Sequence, residues 1–336
     1  MGHHQTVTAR RQDARAEIEG FAMHRFAAPV AGILLATATA VATPTGSVAA
    51  DPDVLGRRIE GLSRSTQWRL VETIPVPFDT YHPQGFARAG DVIFASSVEI
   101  TVPTKRYAQP QDGMDRDTGQ GTGHLFKLDA RGRQIGHITL GEGSIYHPGG
   151  IDYDGRWLWV PVAEYRPNSH SILYRVDPQT LEAVAVGRVD DHIGGLVHDT
   201  DHNTLHGVSW GSRRFYTWRL DAEGKVDAST PPTVTLNPEH YLDYQDCAYL
   251  PVGLAICTGI TEFRRAPDAP VFGLGGIEIV DLAAGRPTFQ VPVLLWTEDG
   301  TAMTRNPVLV EATQDGLRLT TMPEDGQSRI FVYETP

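Results

Sequence analysis

Basic residues, cysteine, long apolar runs and helical periodicity are all scarce in this chain, and each shortage excludes something. Lys and Arg number 29 against 41 Asp and Glu, a formal charge of −12. An acidic surface repels nucleic acid and anionic membranes, so neither is expected as a partner. Beyond residue 50 no apolar stretch is long enough to span a bilayer. With only two cysteines, a catalytic thiol is not expected. No G-x-S-x-G segment occurs, which removes the usual nucleophile turn of a serine hydrolase. After residue 62 apolar positions no longer recur at helical spacing. Short β-rich runs alternate instead with Gly, Pro, Asp and Asn turns, the pattern of an all-β fold.

The N-terminus bears on the compartment. Met23-His24-Arg25 opens a short basic segment, Ala27 to Ala42 is apolar, and Ser47-Val48-Ala49-Ala50 supplies small residues before Asp51. That is the layout of a secretory signal peptide over 23–50, with cleavage expected after Ala49 or Ala50. A membrane anchor is the competing reading, but the run is short and broken by Pro29 and Pro44. Residues 1–22 are polar and read as an over-extended start. Residues 1–50 hold four Arg against Asp13, Glu17 and Glu19, so the remaining chain, about 286 residues, carries −13. The expected mature protein is a secreted monomer, extracellular or periplasmic, with 51–67 as a lead-in and 68–336 as one domain. Cys247 and Cys257 flank Pro251-Val252-Gly253 symmetrically, which suits a disulfide across paired strands in an oxidising compartment. Two buried thiols are the alternative.

Five copies of one unit account for the rest. HPQGF (82–86), HPGGI (147–151) and HIGGL (192–196) each open a strand, with weaker copies at 244–248 and 305–309. A third strand recurs as HLFKLD, ILYRVD, YTWRLD, GIEIVD and RIFVYE, ending at 129, 177, 221, 281 and 334. A fourth strand follows in every unit but the last, where the sequence stops at Pro336. The spare strand Trp68 to Val76 fits that vacancy. The spacing therefore predicts a five-bladed β-propeller whose N-terminal strand, residues 68–76, completes the last blade and hides its edge.

In such a blade the first strand lies nearest the axis, so its start and the end of the second strand share one face. His82, His147 and His192 occupy one repeat position there, with Tyr244 and Arg305 at the aligned positions of units four and five. The second strands of units one, two and four end at Glu99, Glu164 and Glu262, and Trp210 holds that region in unit three. The long connections also lie on this face. Three imidazoles from separate strands could ligate a divalent transition metal, with Gln245, Asp246 or water completing the shell. The carboxylates could act as acid and base or support the ligands. Tyr165, Arg166, Arg264 and Arg265 could grip a ligand's carboxylate or hydroxyls. Against this stands a simpler account, in which each His bonds backbone in a packing device repeated with the blades. His198, His202 and His206 read as strand–turn–strand and share no face. Asp112, Asp115 and Asp117 read as a solvated acidic loop.

The HPxG[FI] opening, the Gly turn and the third strand ending in Asp resemble secreted bacterial propellers of unknown function. More distantly the layout is similar to gluconolactonase and strictosidine-synthase-like propellers. That resemblance spans roughly residues 68–336 and implies architecture. Those enzymes hold an axial cation mainly through carboxylates and amides, whereas this mouth offers histidines, so their lactonase activity does not follow. The expected function is a metal-assisted hydrolase or lyase acting on a carbohydrate, uronate or lactone. Glu99, Glu164, Glu262 and Arg166 are its candidate catalytic groups. Tyr165, Tyr244, Trp210, Arg264 and Arg305 are ligand contacts, and His82, His147, His192 and Gln245 are metal ligands. A non-catalytic propeller binding a glycan or protein is the rival.

Overall fold

The computed structural model describes residues 52–336; the expected signal segment lies outside the described residues. A helix, Pro52–Glu60, precedes the sheets. Its buried Ile59 packs in a cluster with Leu250, Ile256, Leu319 and Phe331, so the lead-in is docked on blades four and five. Arg58 fixes it by donating to the carbonyls of Thr313, Gln314 and Gly316 at 2.5–2.7 Å. Among the described residues no helix is long and apolar enough to cross a membrane.

Five antiparallel sheets follow, making the five-bladed propeller that the repeat predicts. The first blade comprises His82–Ala89, Val92–Val102, Gln120–Leu128 and Gln134–Leu140. The second is built on Ile145–Pro148, Leu158–Glu164, Ser171–Val176 and Ala183–Val189. The third runs through Ile193–Asp199, Thr204–Ser209, Arg214–Arg219 and Thr233–Leu236. The fourth has Asp243–Leu250, Leu254–Arg264, Val271–Asp281 and Arg286–Val293. Val308–Ala312, Leu317–Thr321 and Gln327–Glu334 form the fifth, and Arg69–Asp79 adds its outer strand, Arg69 facing Glu334. The N-terminal strand thus closes the ring, running three residues further than the sequence indicated. Leu158–Glu164 is buried at every position, as a strand between neighbouring strands and neighbouring blades should be.

Cys247 and Cys257 lie opposite each other in the register and are disulfide-bonded. Closing so short a loop contributes about 2–3 kcal/mol through lost chain entropy in the unfolded state. The long connection 100–122 is not a plain loop. It carries a small hairpin, Arg106–Gln111 with Met114–Arg116, turned by Asp112-Gly113 with φ of 49° and 79°, the dipeptide and geometry of a tight hairpin turn.

At the axis the inner strands touch. Gly150 N–H donates to Gly194 C=O at 2.8 Å, and Leu196 N–H donates to Gly150 C=O at 3.3 Å. A Cβ on Gly149 would stand 2.1 Å from the Gly194 carbonyl oxygen, and one on Gly150 would stand 2.8 Å from the Asp246 Cα. The glycines of the HPGG and HIGG openings therefore let backbone meet backbone. This contact floors the axis, so the site is a one-sided dish and not the mouth of an open channel.

Asp246, fully buried on the fourth inner strand, ties this centre together. Its Oδ2 accepts from Phe86 N–H of the first blade at 2.6 Å, and its Oδ1 from Ile151 N–H beside the second at 3.1 Å. Asp152 repeats the device, accepting from His198 and Tyr249 N–H at 3.1 and 3.2 Å. Burial raises the pKa of Asp246 well above its ordinary value, opposed by the backbone N–H groups it serves. Removing the carboxylate would strand those donors in the interior. Asp246→Ala is expected to cost about 3 kcal/mol or more and to lower the melting temperature by about 6–12 °C. A calorimetric shift under about 2 °C would show that these bonds do not carry the centre.

Candidate functional site

His82, His147 and His192 line one cavity of about 190 Å³ at the axial mouth, together with Gln84, Tyr165, Gly194, Ser209, Trp210, Gly211, Asp243, Tyr244 and Gln245. The three histidines, far apart in sequence, thus meet at one place. His147 and His192 have ring centroids 5.7 Å apart and tilted. Tyr165 stacks flat on His147 at 4.3 Å, and Trp210 meets His192 edge-on at 4.8 Å.

Their partners differ. His192 Nδ1 bonds the Glu164 carbonyl at 2.8 Å. His82 Nδ1 bonds Asp325 Oδ1, also at 2.8 Å. Both ring nitrogens of His147 are buried with no protein partner. Burial is also the main cause of the shifts in basicity: it holds His147 well below the ordinary imidazole value, and His192 is pushed down to about 4. These two rings are therefore neutral near pH 7. Neutral imidazole is the form that can accept a hydrogen bond or a metal ion. Among the described residues, however, no group of three or more His, Cys, Asp or Glu side chains is spaced to hold a metal ion.

The glutamates do not gather here. Glu99 faces His124 at 3.6 Å on the outer side of the first blade. Glu164 is buried, but its oxygens take Ser144 Oγ–H at 2.6 Å and the Arg166 guanidinium at 2.7–2.8 Å. Glu262 stays exposed on the long hairpin of the fourth blade, as does Arg264, which donates to the Ala269 carbonyl at 3.2 Å. Arg166 is spent on Glu164, and Arg305 on Asp325 at 3.1 Å. None of these six lines the cavity. The remaining acidic loop is internally satisfied. Asp115 pairs with Arg106 and Arg116, while Asp117 accepts from Lys105 and Gly119 N–H.

A bulge shifts one expected position. Three of the inner strands slip register near their start: between Pro83 and Gly85, between Ile193 and Gly195, and between Tyr244 and Asp246. Aligned on that slip, His82, His192 and Asp243 are equivalent, and Tyr244 falls one residue later, beside Pro83 and Ile193. The fourth member of the ring is therefore Asp243, which sequence alignment missed. The signal was a single residue of offset that no local pattern reveals. Tyr244 still borders the cavity, but its hydroxyl donates to Glu278 inside the fourth blade.

A five-bladed β-propeller with a floored, histidine-rich axial pocket is the class that fold and site define. The chain belongs to the DUF6454 family of unknown function, which matches residues 38–335. Among solved structures it is similar to hydrazine synthase of Kuenenia stuttgartiensis, at 14% identity and a TM-score of 0.37, covering 78% of this chain and 65% of that one. A tail fibre of Staphylococcus aureus phage P68 is similar at 11% identity and a TM-score of 0.46, covering 84% and 55%. The Malassezia sympodialis allergen Mala s 1 is similar at 10% identity and a TM-score of 0.42, covering 80% and 97%. The chain thus spans 65% and 55% of the length of the first two. No curated protein sequence matches.

Glu278 yields a pH test. Burial lifts its pKa from 4.5 to about 7, against the bonds from Tyr244 and Gln290. The proton it keeps on folding stabilises the protein fully below 4.5, and that contribution is lost as pH rises to about 7. Glu278→Gln is expected to narrow the gap in melting temperature between about pH 5 and about pH 8. An unchanged gap would mean that Glu278 titrates normally.

Proposed function

We propose that this chain is a secreted propeller whose axial pocket binds a small polar ligand, a sugar ring or the end of an oligosaccharide, and that it works as a monomer without nucleic acid or membrane. The observation that carries this reading is His147. Two buried ring nitrogens without partners are costly, on the order of 1–3 kcal/mol each, and the residue that carries them lines a cavity that a hydroxylated ligand can enter. Tyr165 and Trp210 supply flat apolar walls for a ring, while Gln84, Ser209 and Gln245 offer further donors and acceptors. No pair of carboxylates flanks the cavity, so the arrangement favours binding over carboxylate-driven hydrolysis. The disulfide between Cys247 and Cys257 supports an oxidising compartment.

A second reading, a metal-assisted hydrolase or lyase on a carbohydrate, uronate or lactone, is favoured by a specific feature. His82 and His192 each tie Nδ1 to an oxygen acceptor, as metal-ligating imidazoles do. A divalent transition metal held by His82, His147 and His192, with Gln245 beside them, would supply a Lewis acid. The likeness of layout to gluconolactonase-type propellers belongs to this reading and brings no activity with it.

Calorimetry against a panel of neutral and charged oligosaccharides, with metal analysis of the same preparation, separates the two. The binding reading expects a saturable ligand, no stoichiometric metal, and affinity weakened about tenfold or more by Tyr165→Ala. Near-stoichiometric zinc, manganese or iron, lost in a His82→Ala, His147→Ala double variant of intact fold, would overturn it for the catalytic one.

A further inference from the structure

Resting on the sugar-binding reading, the charges around the mouth narrow the ligand further. Among the described residues Asp243 is the one carboxylate lining the cavity, and neither Lys nor Arg lines it. Every arginine grouped near this face is already committed. Arg116 is held by Asp115 at 2.8 Å while lying over the Trp210 ring, and Arg166 is held by Glu164 at 2.7 Å. Arg214 pairs with Asp191 at 3.0 Å, and Arg305 with Asp325 at 3.1 Å. Arg213 is turned to the carbonyls of Gly211 and Glu239 at 2.5 and 2.8 Å. Carboxylates answer the first four of these, while Arg213 keeps its charge, which acts on Asp243 together with His240. Asp243, by contrast, is exposed to the cavity, and among the described residues no donor of the protein reaches its oxygens. A Cβ on Gly211 would sit 3.6 Å from its Oδ1, so glycine there keeps the space beside the carboxylate open.

We infer that Asp243 selects the ligand by charge: the pocket accepts an amine-bearing or neutral sugar ring and rejects a uronate. A ligand carboxylate entering a partly desolvated dish would meet Asp243 with no cation among the described lining residues to answer it, whereas a protonated amine would find a carboxylate that accepts no hydrogen bond from the described residues. Repulsion of the wrong ligand is as effective a source of specificity as attraction of the right one. The uronate thus drops out of the substrate classes open to this mouth.

Three sugars of one ring configuration, glucosamine, glucose and glucuronate, make the probe, titrated by NMR into the full secreted chain at low salt and about pH 7. Glucosamine is expected to bind about tenfold or more tighter than glucuronate, with glucose between them. Asp243→Asn, checked for an unchanged melting temperature, is expected to shrink that gap at least about fivefold. Glucuronate binding as well as glucosamine, or a gap that survives Asp243→Asn, would overturn the charge selection and leave the sugar reading standing. Failure of all three sugars to bind would remove the sugar reading itself, and this inference with it.

Discussion

The buried carboxylate of Asp246 is the constraint on which the centre of this molecule depends. It sits on one blade and spends its two oxygens on backbone N–H groups belonging to two others. Asp152 does the same from the second blade toward the third and fourth. Inner strands in a propeller have few neighbours of their own at the axis, and their backbone donors must be met by something. Two acidic side chains meet them here, and the glycines of the repeat let the strands come close enough to be met. The positions of His82, His147, His192 and Asp243 follow from that arrangement, because each lies a few residues before backbone that these carboxylates pin.

The same economy governs the charges around the mouth. Carboxylates and guanidiniums are plentiful around it, yet most of them answer one another: Glu164 with Arg166, Asp191 with Arg214, Asp325 with Arg305. These pairs hold the connections in place and leave little free charge for the ligand. What reaches the cavity is neutral imidazole, aromatic ring, amide and hydroxyl, plus one unpaired acid. Such a lining offers shape and hydrogen-bonding pattern, with Asp243 as its carboxylate among the described residues.

The architecture was largely legible in the amino-acid order. Four-strand units recur with a polar turn after each inner strand, and the surplus strand at the start matches the deficit at the end, so ring closure could be deduced by counting. The convergence of three histidines followed from that count. Other features were hidden for a physical reason. A β-bulge costs one residue of register and leaves no local mark, so Tyr244 was taken for the position that Asp243 holds. Glu164 does end its expected strand while Glu99 lies inside one that runs on to Val102, but whether a side chain turns to the axis or to a neighbouring His or Arg is set by contacts that the strand pattern does not contain. Sequence periodicity describes a strand's two faces; it says nothing of the partner waiting on each.

Joining the first strand to the last also sets an order of events. Gln327–Glu334 cannot find Arg69–Asp79 until nearly the whole chain has been delivered, so the outermost strand of the first-made end must wait unpaired. A pairing that spans so much of the sequence is slow to form, and an unmatched strand edge invites other chains. This geometry makes completion of the circle one of the last pairings that the emerging polypeptide can form.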